Sequence, residues 1–125
     1  MAAASGPPSG FHSVTPRIVV PDAGAQVEFL RAVFGAAGEV PADRPAEVRI
    51  GDSLVMVTSA GARDPFPAFL YVYVDDADST YRRALDAGAV TIEAPLDTPY
   101  GDRRAMIRDP FGNVFQIAHR IPPGG

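Results

Sequence analysis

Hydrophobic positions along the chain follow one order of spacings, and that order occurs twice. Val14 to Val20 is β-branched apart from Pro16 and Arg17, which predicts a strand. Pro16 has no N–H to give to a ladder, so it marks an edge position or the strand start. Asp22 then offers a helix N-cap. Val27, Leu30 and Phe34 fall on one helical face, and Gly35 suits the left-handed position that ends the helix. Three short strands are predicted next, at Glu39–Val40, Ala46 to Ile50 and Ser53 to Thr58, with Gly51-Asp52 as a tight turn.

Ser59 to Pro67, with Gly61, Pro65 and Pro67, reads as a linker. The pattern then restarts. Phe69 to Val74 is a strand, Asp75-Asp76 an N-cap, and Ala77, Tyr81, Ala84 and Leu85 an apolar helical stripe closed by Gly88. Strands follow at Ala89 to Ala94, Arg103 to Arg108 and Asn113 to His119, with Asp109 to Asn113 as the last turn. Asp22 matches Asp76, Gly35 matches Gly88 with one residue of slip, and Gly51-Asp52-Ser53 matches Gly112-Asn113. The second half has the longer loop, Pro95 to Asp102. These elements make one α+β domain over residues 13–120, built of two tandem modules at about 14–58 and 68–119. Residues 1–12 and 121–125 read as disordered tails.

Composition narrows the function classes. A chain of 125 residues suits one domain. A net charge of −4 argues against a general nucleic-acid binder, which needs a basic surface for phosphate contacts. No apolar run approaches the ~18 residues of a membrane span. The absence of cysteine removes disulfides, thiolate metal sites and a cysteine nucleophile, and fits a reducing cytoplasm. The first ten residues lack the basic and apolar regions of a secretory signal.

Three stretches carry a resemblance: VVPDAGAQVEFLRAVFGA, YVYVDDADSTYRRALDAGA and YGDRRAMIRDPFGNVFQIAHRI. Over roughly residues 14–120 the chain resembles the vicinal oxygen chelate superfamily, the glyoxalase/bleomycin-resistance/dioxygenase group. The resemblance implies paired βαβββ modules whose curved mixed sheet surrounds a cavity. It also implies a dimer, with the cavity in several members completed by strands of the other chain. Metal-using members place ligands on the first and last strand of each module. Carried over one at a time, those positions are Thr15, Met56, Phe69 and Gln116. Of these only the glutamine is a plausible ligand, and a divalent ion needs several nitrogen or carboxylate donors. A thioether is soft and suits Cu(I). No metal or other cofactor is therefore expected. His12 and His119 lie at the strand margins and read as surface or satisfied side chains.

Strand side chains alternate between faces. If the matched positions face the cavity, so do Arg17 and Val19, Leu54 and Thr58, Tyr71 and Tyr73, Val114 and Ala118. Ile18, Val20, Val55, Val57, Leu70, Val72, Val74, Phe115 and Ile117 then lie under the helices. The cavity wall so described is apolar and aromatic, with Arg17, Tyr71, Tyr73 and Gln116 as its polar groups. Met56 and Met106 would add adaptable packing, and Tyr100 on the Pro95–Asp102 loop would be placed to lid the cleft. Phe69, Tyr71 and Tyr73 read equally as a core or dimer-interface stripe. Glu93, Asp102, Arg103, Arg104, Arg108 and Asp109 read as solvated surface charges, except that Glu93 or Arg104 turned inward would be an acid/base group or an anion anchor.

These positions suggest metal-independent binding of an aromatic or planar small molecule, as in drug or metabolite sequestration of the bleomycin-resistance type. No residue is assigned a catalytic role. The alternatives are an enzyme of the same superfamily (lyase, isomerase or dioxygenase, metal-dependent or metal-free) and a ligand-free structural or regulatory dimer. A homodimer with a small-molecule ligand is expected, with neither nucleic acid nor membrane as partner.

Overall fold

The computed structural model describes residues 6–61 and 64–123. Parts of the expected tails and linker, residues 1–5, 62–63 and 124–125, lie outside the described residues. The elements in order are β1 (Arg17–Val20), α1 (Ala23–Phe34), β2 (Ala46–Ile50), β3 (Ser53–Ser59) and β4 (Phe69–Tyr73). They continue with α2 (Ala77–Asp86), β5 (Val90–Asp97), β6 (Asp102–Arg108) and β7 (Val114–Arg120). Two mixed sheets result, ordered β1-β3-β2 and β4-β7-β6-β5. In each, the module's first strand runs parallel to its last, β1 to β3 and β4 to β7. This is the tandem βαβββ arrangement, with one strand of the first module reduced to a bridge between Ala37 and Arg49.

The duplication extends to single hydrogen bonds. Asp22 accepts from the Ala25 N–H, and Asp76 from the Asp78 and Ser79 N–H groups, so each aspartate caps its helix. The Ala23 N–H donates to Ser59 Oγ at 3.0 Å, and the Ala77 N–H donates to His119 Nδ1 at 2.8 Å. The last strand of each module thus covers the first N–H of its own helix.

Three expectations change. The first strand begins at Arg17, because Pro16 enters the ladder only as an acceptor, its carbonyl taking the Met56 N–H. Thr15 therefore precedes the strand. Glu39–Val40 forms no strand; its place is taken by a single bridge between Ala37 and Arg49. Gly38 crosses β2 there so closely that a Cβ would lie 2.5 Å from the Glu47 carbonyl oxygen. The long second-module loop shortens to residues 98–101, since β5 runs through Pro95 to Asp97 and β6 begins at Asp102. β5 is an edge strand, where a missing N–H costs little.

One core serves both modules. Ile18, Val27, Leu30, Val57, Phe115 and Ile117 belong to one buried cluster. Each such side chain contributes about 1.5–3 kcal/mol on burial. The Phe115 ring of β7 lies 6.3 Å from Phe29 and 5.4 Å from Phe34, so α1 of the first module packs on the second sheet. A polar latch accompanies this contact. Gln26 of α1 is fully buried and donates to Asp109 Oδ2 at 2.9 Å. Asn113 donates to Gln26 Oε1 at 2.7 Å and to Asp109 Oδ2 at 3.0 Å. Asp109 Oδ1 accepts the Phe111 and Asn113 N–H groups, and Asn113 Oδ1 accepts the Ala68 N–H. Asp109, expected at the surface, is buried because this turn needs its carboxylate inside.

Candidate functional site

Alternation along the strands sorts side chains as the sequence suggested. Ile18, Val20, Val55, Val57, Phe115 and Ile117 are buried beneath the helices, and Leu70, Val72 and Val74 pack against them. The opposite face of the second sheet is open. Across it, Tyr71, Gln116, Met106 and Glu93 form one row, and Tyr73, Ala118, Arg104 and Leu96 the next. Phe69, Val114, Arg108 and Val90 form a third. Phe69 is 66% exposed, Tyr71 38% and Tyr73 59%. On the first sheet Arg17 and Met56 are register partners, the guanidinium 3.9 Å from the thioether sulfur.

Tyr71, Tyr73, Met106 and Gln116 therefore share one surface, and Arg17 and Met56 share another. A cavity of about 250 Å³ at the module junction is lined by Pro16, Ile50, Ser53, Leu70, Tyr71 and Tyr73, and includes neither Met56 nor Gln116. The two halves of the expected wall do not meet in that cavity.

One corner of the second sheet is strongly polar. Asp102 opens β6 and is fully buried. Its Oδ2 accepts the Tyr71 hydroxyl at 2.6 Å and the Tyr73 hydroxyl at 2.8 Å, and its Oδ1 accepts from Arg120 at 2.8 Å. The Tyr71 donation, reinforced by Tyr73 and Arg120, holds the Asp102 carboxyl below the usual carboxylate range. Conversely, burial and then the Asp102 bond push the Tyr71 phenol up, and the Asp102 bond does the same to Tyr73.

Tyr100 sits on the four-residue connection between β5 and β6, residues 98–101. That turn is closed tightly. Thr98 N–H and Oγ donate to the Asp102 carbonyl at 2.7 and 2.9 Å, and the Asp102 N–H donates to Thr98 Oγ1 at 3.0 Å. Gly101, at φ 91°, leaves room for Arg120, whose guanidinium nitrogen lies 3.1 Å from where a Cβ would stand. Arg120 also donates to the Tyr100 carbonyl. The Tyr100 hydroxyl accepts from Arg104 at 3.0 Å and lies 3.4 Å from that of Tyr71. Tyr71 first and then Arg104 ease its ionisation, so its pKa falls. Tyr71 has one proton, which the shorter bond to Asp102 uses; Arg104 is the partner an ionised Tyr100 keeps.

Arg104 also binds Glu93. Its Nε is buried with no partner among the described residues. Such an unmatched donor costs about 1–3 kcal/mol. Glu93 and Arg104 both lie on the open face of the sheet, Arg104 with its side chain largely buried and Glu93 partly exposed. Asp102, expected among surface pairs, and Arg120 were missed as members of this corner. Arg103 does pair at the surface, with Asp78 and Asp97.

Comparison with known proteins agrees with this architecture. The family model of the Glyoxalase/Bleomycin resistance protein/Dioxygenase superfamily matches residues 10–117. The chain belongs to that superfamily. Among family relatives, the uncharacterized protein Mb0911c of Mycobacterium bovis is 29% identical, over 87% of this chain and 84% of its own length. The anthracycline biosynthesis protein DnrV of Streptomyces peucetius is 36% identical over 80% of this chain, which spans only 38% of DnrV. Among solved structures, TioX from Micromonospora sp. ML1 superposes with a TM-score of 0.72 at 25% identity, covering 86% of this chain and 98% of TioX. A family enzyme from Burkholderia phytofirmans PsJN gives a TM-score of 0.73 at 25% identity, covering 84% and 95%.

The metal that some family members use does not fit the residues present here. Thr15 lies outside the ladder, Met56 has a guanidinium against its sulfur, and Phe69 offers no donor. Among the described residues no group of three or more His, Cys, Asp or Glu side chains could hold a metal ion. His119 uses Nδ1 to accept the Ala77 N–H. Among the described residues no helix is long and apolar enough to cross a membrane.

Proposed function

We propose that this chain binds an aromatic or planar small molecule without a metal ion, sequestering it as a cytoplasmic homodimer. The supporting observation is the open face of the second sheet. Phe69, Tyr71 and Tyr73 present exposed rings beside Met106 and Gln116. Aromatic surface of this extent is normally covered by a ligand or another chain. The first sheet's open face carries Arg17 and Met56, and a second copy placing that face opposite the tyrosines would complete an enclosed cavity. Tyr71, Tyr73 and Tyr100 would then stack on the ligand, Gln116 and Arg17 would orient it, and Met56, Met106, Phe69 and Thr15 would fill around it. The similarity to an anthracycline biosynthesis protein is consistent with a polycyclic aromatic ligand.

The test combines the metal content of purified protein with melting curves in divalent ions and in a panel of aromatic compounds. A melting shift with an aromatic compound, unchanged by chelator and without product, is expected. Stoichiometric, tightly held Zn, Ni, Mn or Fe that raises the melting temperature would overturn metal independence. A second reading, a metal-free enzyme of the superfamily, draws support from Tyr100, whose ionisation Tyr71 and then Arg104 ease at a solvent-accessible position. Conversion of the bound compound would favour it.

A further inference from the structure

The flat face accounts for the body of such a ligand, and the corner beside it bears on what the ligand carries at its end. We propose that Tyr100 and Arg104 form an oxyanion site, receiving an ionised oxygen at one end of the planar ligand, either an acidic hydroxyl or a carboxylate. The inference rests on the aromatic-binding reading above and adds a chemical class to it.

Four observations carry it. Arg104 lies on the open face one row from Met106 and Gln116, its side chain only 16% exposed. It is held there by Tyr100 and Glu93, yet its Nε finds no partner among the described residues. A guanidinium placed for stability alone would satisfy that donor; this one is fixed in direction instead. Next, the one fully buried carboxylate nearby cannot serve as its counter-ion, because Asp102 is engaged by Tyr71, Tyr73 and Arg120. The counter-ion is Glu93, 37% exposed, which can swing into water when another anion arrives. Third, Tyr100 is half exposed on a closed turn, so its hydroxyl is both reachable and fixed. Last, the face carries a local excess of positive charge. Arg104, Arg108 and Arg120 stand against Glu93 and Asp102, and Arg108 is exposed with no ion-pair partner among the described residues. That surplus stands out in a chain of net charge −4.

A guanidinium and a phenol side by side suit a planar oxygen anion. The guanidinium supplies charge and in-plane N–H groups, and the neutral phenol donates a further hydrogen bond. An ether or ester of the same outline leaves the donors facing an oxygen without charge.

The test is calorimetric titration of the whole chain at neutral pH with two matched pairs. One pair is 2-hydroxy-1,4-naphthoquinone, an anion at that pH, and its neutral 2-methoxy ether. The other is 2-naphthoate and its methyl ester. The anion of at least one pair is expected to bind about tenfold or more tightly than its neutral partner. Preference confined to the first pair identifies an acidic hydroxyl, and preference confined to the second a carboxylate. Arg104→Gln should abolish the preference. The double variant Glu93→Gln/Arg104→Gln, which leaves no stranded carboxylate, should do so too while remaining folded by circular dichroism. Tyr100→Phe should reduce it about threefold or more, as loss of one hydrogen bond to a charged oxygen. Equal binding of anion and neutral partner in both pairs, or a preference surviving in the double variant, overturns the oxyanion site and leaves aromatic binding standing. Binding of none of the compounds removes the aromatic reading and this inference with it.

Discussion

Two buried aspartates bracket β6, Asp102 at its start and Asp109 just past its end, and their surroundings differ in kind. Asp109 is held by the amides of Gln26 and Asn113 and by two backbone N–H groups. None of those donors titrates, and they come from α1 and from the turn itself. Asp102 is held by two phenols and a guanidinium, each belonging to a side chain that is itself exposed. The first arrangement fixes one module against the other. The second fixes ionisable groups on a surface that solvent and ligands reach. A buried carboxylate is tolerated in both because donors replace its water; the nature of the donors separates holding the fold from holding chemistry.

The largest expected effect comes from breaking the first network. Asp109→Ala strands Gln26, Asn113 and two N–H groups in a dry interior, and should cost about 3–5 kcal/mol in urea unfolding. Asp109→Asn keeps acceptor and shape and should cost less. If Asp109→Ala were near neutral, the latch would not be what locks the modules, and the contrast with Asp102 would lose its structural half.

A smaller effect with a distinct pH signature is expected at Asp102. Its folded pKa lies below the unfolded value of about 3.9. The stability it contributes is therefore present above that value and lost as pH falls through the folded pKa. Asp102→Asn should lower the urea midpoint at neutral pH, and the difference from wild type should shrink on acidification below pH ~4. Asp78, also held low by Arg103, is unchanged in both proteins and cancels from the comparison. A pH-independent difference would mean that the carboxylate's charge is not what Tyr71 and Tyr73 recognise.

The helix caps, the tight turns and the aromatic open face were legible in the sequence; the latch and the buried anchor of the corner were not. Asp22, Gly35, Gly51-Asp52 and Asp76 marked their turns because local backbone geometry alone demands those residue types. Two-residue alternation placed Phe69, Tyr71, Tyr73 and Gln116 on the open face. The same alternation run back from Met106 reaches Arg104 and Asp102, but beginning β6 at Arg103 left Asp102 in a loop. Arg120 lies one residue beyond the strand end as read from sequence. Gln26 gave no signal, because a polar residue on an apolar helix face is legible only once its partner Asn113, far along the chain, is known. The association of the two sheets is also beyond periodicity, which orients side chains within a sheet and says nothing of what faces it.

The smallest expected effect tests whether the separation of holding from chemistry follows residue type or position. His119 is ionisable, yet it lies on the helix side of β7 and accepts the Ala77 N–H, as Ser59 accepts the Ala23 N–H in the first module. If position decides, His119→Ala should behave as a lost helix cap, costing about 1 kcal/mol, much like Ser59→Ala. Neither change should alter the binding of any aromatic compound. The two caps serve different helices and share no partner, so the double variant should cost the sum of the two within about 0.5 kcal/mol. Asp22 and Asp76 cover other N–H groups of the same turns, which is why each loss stays small and the helices persist. Circular dichroism melts of the three variants measure this directly. A change in ligand affinity in His119→Ala would mean that the helix side of β7 communicates with the tyrosine face. The two faces of the sheet at the Asp102 end of β6, where Arg103 pairs with His119, would then be parts of one network.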